Sequence, residues 1–251
     1  MPYPRINIEE TFAELVRNHG GVVLDDVLPK SPDFENADYV FHFEKIIAEL
    51  KCLTEDNINS ENNAIKVTDL VKAWHLDGKI KITNIDESNW REWPNELQNK
   101  IFEIKTKSIK RRIQKANVQI RETKRYLKLD DYCGLLVLAN DGVFSLPPAA
   151  FIHAAMLALR RDFNEIKYFI FLTANVFTQL RESPTPTVFW IAMDMQRGAR
   201  MDSIFTNRLG SNWRNLVCKK SGIPGFEMEM SDIEGFWNAH NVDLGQRDNL
   251  F

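Results

Sequence analysis

Four apolar runs constrain this chain more than any other feature: KIIAELKCL at 45–53, GLLVLAND at 134–141, KYFIFLTANVF at 167–177 and TVFWIAMDM at 187–195. A strand that is apolar at successive positions is buried on both faces, and a sheet buried on both faces needs helices on both sides. Helical patterns lie between the runs. NIEETFAELVRNHGG carries Ile8, Phe12, Leu15 and Val16 at helical spacing, with Asn7 as N-cap and Gly20 as stop. From Pro94 to Leu129 the chain reads as one long helix, with Ile109, Ile113, Ala116, Ile120, Thr123 and Leu127 on a single face. PPAAFIHAAMLALRRDF is a Pro-initiated helix, and FTNRLGSNWRNLVCKKSG a late one.

Two shorter extended segments, VVLDDVL at 22–28 and ADYVFHF at 37–43, precede the first apolar run and join it by short connections. Hairpin-connected strands beside crossover strands predict an α/β fold with a mixed central β-sheet flanked by helices. The element order is α-β-β-β, an insertion, then α-β. We expect a single domain over 1–251, with a core at 6–53 and 95–140, an insertion at 54–94 and a C-terminal extension at 141–251. The insertion opens on the polar, turn-rich TEDNINSENNA and continues as a short helix and an extended piece, VTDLVKAWHLDGKIKI. The tail from Ile223 reads as irregular.

Charge and cysteine usage exclude some functions. At 251 residues and a formal net charge of −3, the chain is not held on nucleic acid by bulk charge, so any basic surface must be local. No apolar run approaches the length of a membrane span and the start carries no signal-like apolar core, so the reading is cytoplasmic with no membrane partner. Cys52, Cys133 and Cys218 are far apart and lack paired spacing, which predicts reduced, largely buried thiols. The five histidines show no metal-ligand spacing.

Within the first apolar run stand two charges, Glu49 and Lys51. Burying a charge without a partner is costly, so a strand that keeps two of them has a use for them. The E-x-K pattern alone carries little weight, since the chain contains it four times, at Glu49, Glu103, Glu122 and Glu165. Only at Glu49 does it lie inside a strand, where alternation puts both charges on one face. If Glu44-Lys45 forms a two-residue hairpin turn, Phe43 pairs with Ile46 and Asp38 falls opposite Lys51. Asp38, Glu49 and Lys51 then converge, and the two carboxylates can share a small divalent cation. Two acids and a lysine suit metal-assisted phosphodiester hydrolysis: the acids hold Mg²⁺, and the lysine orients or deprotonates the attacking water. A cross-strand ion pair on a half-exposed hairpin is the plain structural alternative.

Asp38, followed by Glu49-Leu50-Lys51 on the next strand, resembles the PD-(D/E)XK, or restriction-endonuclease-like, nucleases, over roughly residues 6–140. The resemblance implies an α-β-β-β-α-β core, Mg²⁺ with Mn²⁺ as substitute, Asp38 and Glu49 as metal ligands and Lys51 as the water-orienting group. The literal Pro-Asp pair of that family occurs here as Pro32-Asp33, in a stretch that reads as loop, so Asp33 is the alternative first acid. A helix following the third strand contributes a Gln or Lys beside the metal in several relatives, and Lys115 and Gln119 are similar to that pattern.

The same helix supplies the local basic surface. Ten basic residues stand between Lys105 and Lys128 against one acid, Glu122, a density able to follow a phosphate backbone. Arg112, Lys115 and Gln119 are the expected nucleic-acid contacts, although a solvated outer face is the usual origin of such a run. Two functions remain open: a metal-dependent endonuclease acting on DNA in preference to RNA, and a non-catalytic nucleic-acid-binding or assembly protein that retains the fold. A homodimer is compatible with either.

Overall fold

The structure, a computed structural model, describes residues 4–29, 33–81, 92–179, 187–195, 200–222 and 238–242. Its centre is a mixed six-stranded sheet in the order β1-β2-β3-β4-β5-β7. The strands are β1 (Val22–Val23), β2 (Tyr39–Phe41), β3 (Ile46–Leu53), β4 (Cys133–Asn140), β5 (Ile166–Thr173) and β7 (Trp190–Asp194). β3, β4 and β5 run parallel, while β1, β2 and β7 complete the edges by antiparallel pairing. β6 (Phe177–Gln179) and β8 (His240–Val242) form a separate two-stranded ribbon.

Helices cover both faces, as the continuous apolar runs require. On one side α4 (Lys107–Leu127) and α5 (Pro148–Asp162) bury Ile113, Ile120 and Phe151 against Ile47, Leu136, Leu138 and Phe169. On the other, α1 (Ile8–Asn18) and α6 (Ser203–Ser221) bury Phe12, Leu15 and Trp213 against Ala48, Leu135, Val137 and Ile170. Alternate residues of β4 thus enter alternate cores. Asn7 caps α1 by accepting from the Glu10 N–H at 3.2 Å, and Gly20 takes φ 78° just beyond the helix end. No helix among the described residues is long and apolar enough to cross a membrane.

Three local expectations need correction. The stretch from Pro94 to Leu129 is two helices, α3 (Asn95–Lys105) and α4, parted at Thr106. Leu97 and Ile101 of α3 pack on Val71 and Trp74 of α2 (Glu61–Leu76), whereas α4 packs on the sheet, and the helix breaks where the partner changes. The Thr106 hydroxyl donates to the Phe102 carbonyl at 2.7 Å at this joint. The first extended segment keeps only Val22–Val23 as strand, because Leu24–Asp26 turns into a 3-10 helix whose Leu24 N–H bonds the Asp38 carbonyl.

The hairpin register is the third. Tyr39 pairs with Ala48, Val40 with Ile47 and Phe41 with Ile46, so Ile46 does not face Phe43 and Asp38 does not face Lys51. The connection is the four residues His42–Lys45, with Lys45 at φ 54°. That left-handed conformation is unfavourable for lysine and is held from outside: Lys45 Nζ pairs with Asp131 at 2.6 Å, and its carbonyl accepts the Cys133 N–H at 2.8 Å. The insertion carries α2, which starts earlier than expected; the extended piece expected after it is instead turn and bend over 77–80, and the chain from 82 to 91 lies outside the described residues, as does most of the tail. The three cysteines are free and each is half-buried.

Candidate active site

A shift of two residues leaves side-chain faces unchanged, because the strand period is two. Continued by one residue, the observed register puts Asp38 opposite Glu49, so Asp38, Glu49 and Lys51 still share the face of β3 that looks toward α4. β2 ends at Tyr39, opposite Ala48, and from Glu49 onward β3 has an open edge. The Asp38 carboxylate fills part of that gap, Oδ2 accepting the Leu50 N–H at 2.8 Å.

Glu49 is completely buried and Lys51 nearly so. Lys51 Nζ donates to Glu49 Oε1 and, at 2.7 Å, to Gln119 Oε1. Glu49 Oε2 is buried and makes no hydrogen bond among the described residues. Burial pushes the Glu49 carboxyl well above the usual carboxylate range, and the Asp38 charge adds to this against the opposing pull of Lys51. Burial likewise raises Asp38, opposed by its bond from Leu50 and by Lys51, with Asp25 adding to the rise.

α4 fixes the approach to this site. Gln119 spends both ends of its amide, accepting from Lys51 and donating through Nε2 to the Asn36 carbonyl at 2.7 Å. One turn on, Thr123 Oγ1 accepts the Ala37 N–H at 2.7 Å in a fully buried contact. The Asn36-Ala37 backbone that presents Asp38 is therefore bonded twice to one helix face. Gln119, expected as a nucleic-acid contact, is placed as a brace between Lys51 and this segment.

The other candidates fall as follows. Arg112 is exposed and lines the same cleft, an open space of about 420 Å³. Lys115 is exposed on α4, outside the cleft lining. Asp33 is exposed and lies outside the cleft lining, whereas Asp38 is part of it. Along α4 the basic residues divide: Lys107, Lys110, Arg111, Arg112 and Lys115 are exposed, while Lys124 pairs with Glu165 at 2.8 Å and Arg125 with Glu122 at 3.3 Å.

Residues that the sequence reading missed complete the cleft: Glu9, Glu10 and Arg17 from α1, and Asp25 and Asp26 from the 3-10 turn. The signal was present in Glu10-x-x-Ala13-x-x-x-Arg17, a helical stripe beside the apolar one. Arg17 is bound to Asp26 at 2.8 Å. Cys52 also lines the wall, but burial foremost, then Glu9 and other acids, push its thiol up to about 12, so it is no thiolate nucleophile near neutral pH.

The pair of carboxylates fits a hard divalent cation. Oxygen donors are the right type, the charged forms of both acids are disfavoured without a counter-charge, and Glu49 Oε2 has no other partner. Among the described residues, no group of three or more His, Cys, Asp or Glu side chains is placed to hold a metal. Two carboxylates, with water and substrate phosphate in the remaining positions, are a usual protein share for Mg²⁺. Comparison with family models, with curated proteins and with solved structures finds no match.

Proposed function

We propose that the chain is a divalent-metal-dependent nuclease of the PD-(D/E)XK type, hydrolysing phosphodiester bonds of nucleic acid, DNA in preference to RNA. The observation that carries this reading is the convergence of Asp38, Glu49 and Lys51 at the open edge of β3, beside a helix whose exposed face is basic. Asp38 and Glu49 would hold Mg²⁺ or Mn²⁺. Bound there, the cation would supply positive charge for the phosphate and a more acidic water. Lys51 carries three N–H donors and spends two, on Glu49 and Gln119, leaving one to orient the attacking water or a phosphate oxygen. Gln119 holds that amine in line, and Leu50 fixes the Asp38 carboxylate through its N–H. Arg112 and Lys115 would neutralise neighbouring phosphates.

The test is incubation of the purified protein with plasmid, linear duplex, single-stranded DNA and RNA, each with Mg²⁺, Mn²⁺ or EDTA. Cleavage with either cation and none in EDTA is expected; cleavage untouched by chelator removes the metal from the reading. The second reading, a nucleic-acid-binding protein without catalysis, draws on the exposed basic residues of α4 alone and predicts binding with no cleavage under any of these conditions.

A further inference from the structure

Arg112, Lys115, Gln119 and Tyr126 lie on one stripe of α4. At about 100° per residue they fall within an arc of about 60°, and at about 1.5 Å per residue the stripe spans about 21 Å. Its N-terminal half is cationic and exposed, its middle meets Lys51 through Gln119, and its C-terminal end carries an aromatic pair. The Phe34 and Tyr126 rings are stacked, with centroids 4.2 Å apart and planes inclined by 22°. Tyr126 is nonetheless 54% exposed. Phe34 lies just before the Asn36-Ala37 backbone that Gln119 and Thr123 hold, so the plate behind Tyr126 is anchored to the same brace as the catalytic acid.

We infer that the Phe34–Tyr126 pair is a stacking platform for an unpaired base next to the reacting phosphate, and that the substrate is single-stranded nucleic acid. The inference rests on the nuclease reading for the position of that phosphate. A contact serving only to pin the loop would gain most by burying both rings, whereas Tyr126 keeps much of its surface in water at the far end of the stripe that Arg112 and Lys115 begin. Positive charge followed by an aromatic surface is the combination that holds single strands without reading sequence. A base inside a duplex has both faces covered by its neighbours and cannot use the platform without leaving the stack. Backing by Phe34 also fixes the tyrosine ring beforehand, lowering the ordering cost at binding.

The experiment is fluorescence anisotropy in EDTA, where no cleavage intervenes, with a labelled DNA oligonucleotide as a single strand and as its duplex. Wild-type protein should bind the single strand more tightly. Tyr126→Leu, which keeps apolar bulk without a π face, should weaken single-strand binding about five-fold or more and leave duplex binding unchanged, while Tyr126→Phe binds as wild type. Phe34→Leu should give a smaller loss of the same selectivity, with melting temperatures confirming that each variant is folded. Equal weakening on both substrates, no weakening on the single strand, or a duplex preference in the wild type overturns the inference. Cleavage with Mg²⁺ that ignores Tyr126 ends this inference alone. Tyr126-dependent single-strand binding without cleavage in any cation ends the nuclease reading, and with it the reacting phosphate, while the stacking platform for single strands stands.

Discussion

Glu49 gives one carboxylate oxygen to Lys51 and keeps the other buried with no partner, on a strand that is otherwise core. The ion pair is thus half satisfied, and a half-satisfied buried charge is unfavourable to folding. The two residues should therefore respond to substitution in opposite ways.

Glu49→Gln removes the buried charge and keeps the shape. Its melting temperature should equal or exceed that of the wild type, by ~2–4 °C for each ~1 kcal/mol gained, while cleavage is lost. The folded chain holds the Glu49 proton to higher pH than the unfolded chain, whose carboxyl titrates at about 4.3. Stability from this group accordingly falls as pH rises through that interval, and the advantage of Glu49→Gln should widen with pH. Thermal melts of both proteins from pH 5 to 8 measure it; a constant or shrinking difference contradicts the burial of a charged Glu49.

Lys51→Ala should destabilise, since it takes away the positive partner of Glu49 and leaves a buried carboxylate without its ion pair. A loss of about 3 kcal/mol at pH 8 is the expected order, shrinking toward pH 5 as Glu49 takes up its proton. Denaturant melts at the two pH values decide this.

Thr123→Val keeps the volume of a fully buried side chain but leaves the Ala37 N–H without its acceptor. The expected cost is about 1–3 kcal/mol, together with weaker Mn²⁺ binding by calorimetry, because Asp38 follows Ala37. Thr123→Ser should restore both. Unchanged Mn²⁺ affinity in a folded Thr123→Val protein would mean that the α4 brace does not position the acid.

On α4, Arg112→Glu and Lys115→Glu should each weaken DNA binding and reduce the slope of affinity against salt, since each lost phosphate contact removes counterion release. Gln119→Ala should leave that slope unchanged and lower the cleavage rate, its amide being spent on Lys51 and Asn36. A flattened slope in Gln119→Ala would make it a direct contact after all.

The layered fold was legible because it depends on burial, and burial writes itself into composition: Leu135 through Ala139 can only be a strand covered on both sides. The sharing of a face by Asp38, Glu49 and Lys51 was legible for a similar reason, since a period of two survives a register error of two. The register itself was not. It depends on Lys45 adopting φ 54° under contacts to Asp131 and Cys133, some ninety residues away, and no local propensity announces them. The break at Thr106 was hidden for the same reason, α3 and α4 having different partners. Phe34 on Tyr126 and Ala37 on Thr123 are likewise pairs that only the packed chain brings together.

The metal-dependent nuclease reading is decided by the initial rate of nucleic-acid cleavage by wild type, Asp38→Asn, Asp33→Asn and Glu49→Gln, each in Mg²⁺ and in EDTA. Wild type and the exposed Asp33→Asn should cleave at comparable rates in Mg²⁺ and not in EDTA, while Asp38→Asn and Glu49→Gln, folded by their melting curves, should be inactive in both. Full activity in Asp38→Asn or Glu49→Gln, or a wild type inert toward every nucleic acid with Mg²⁺ and Mn²⁺ alike, would contradict it.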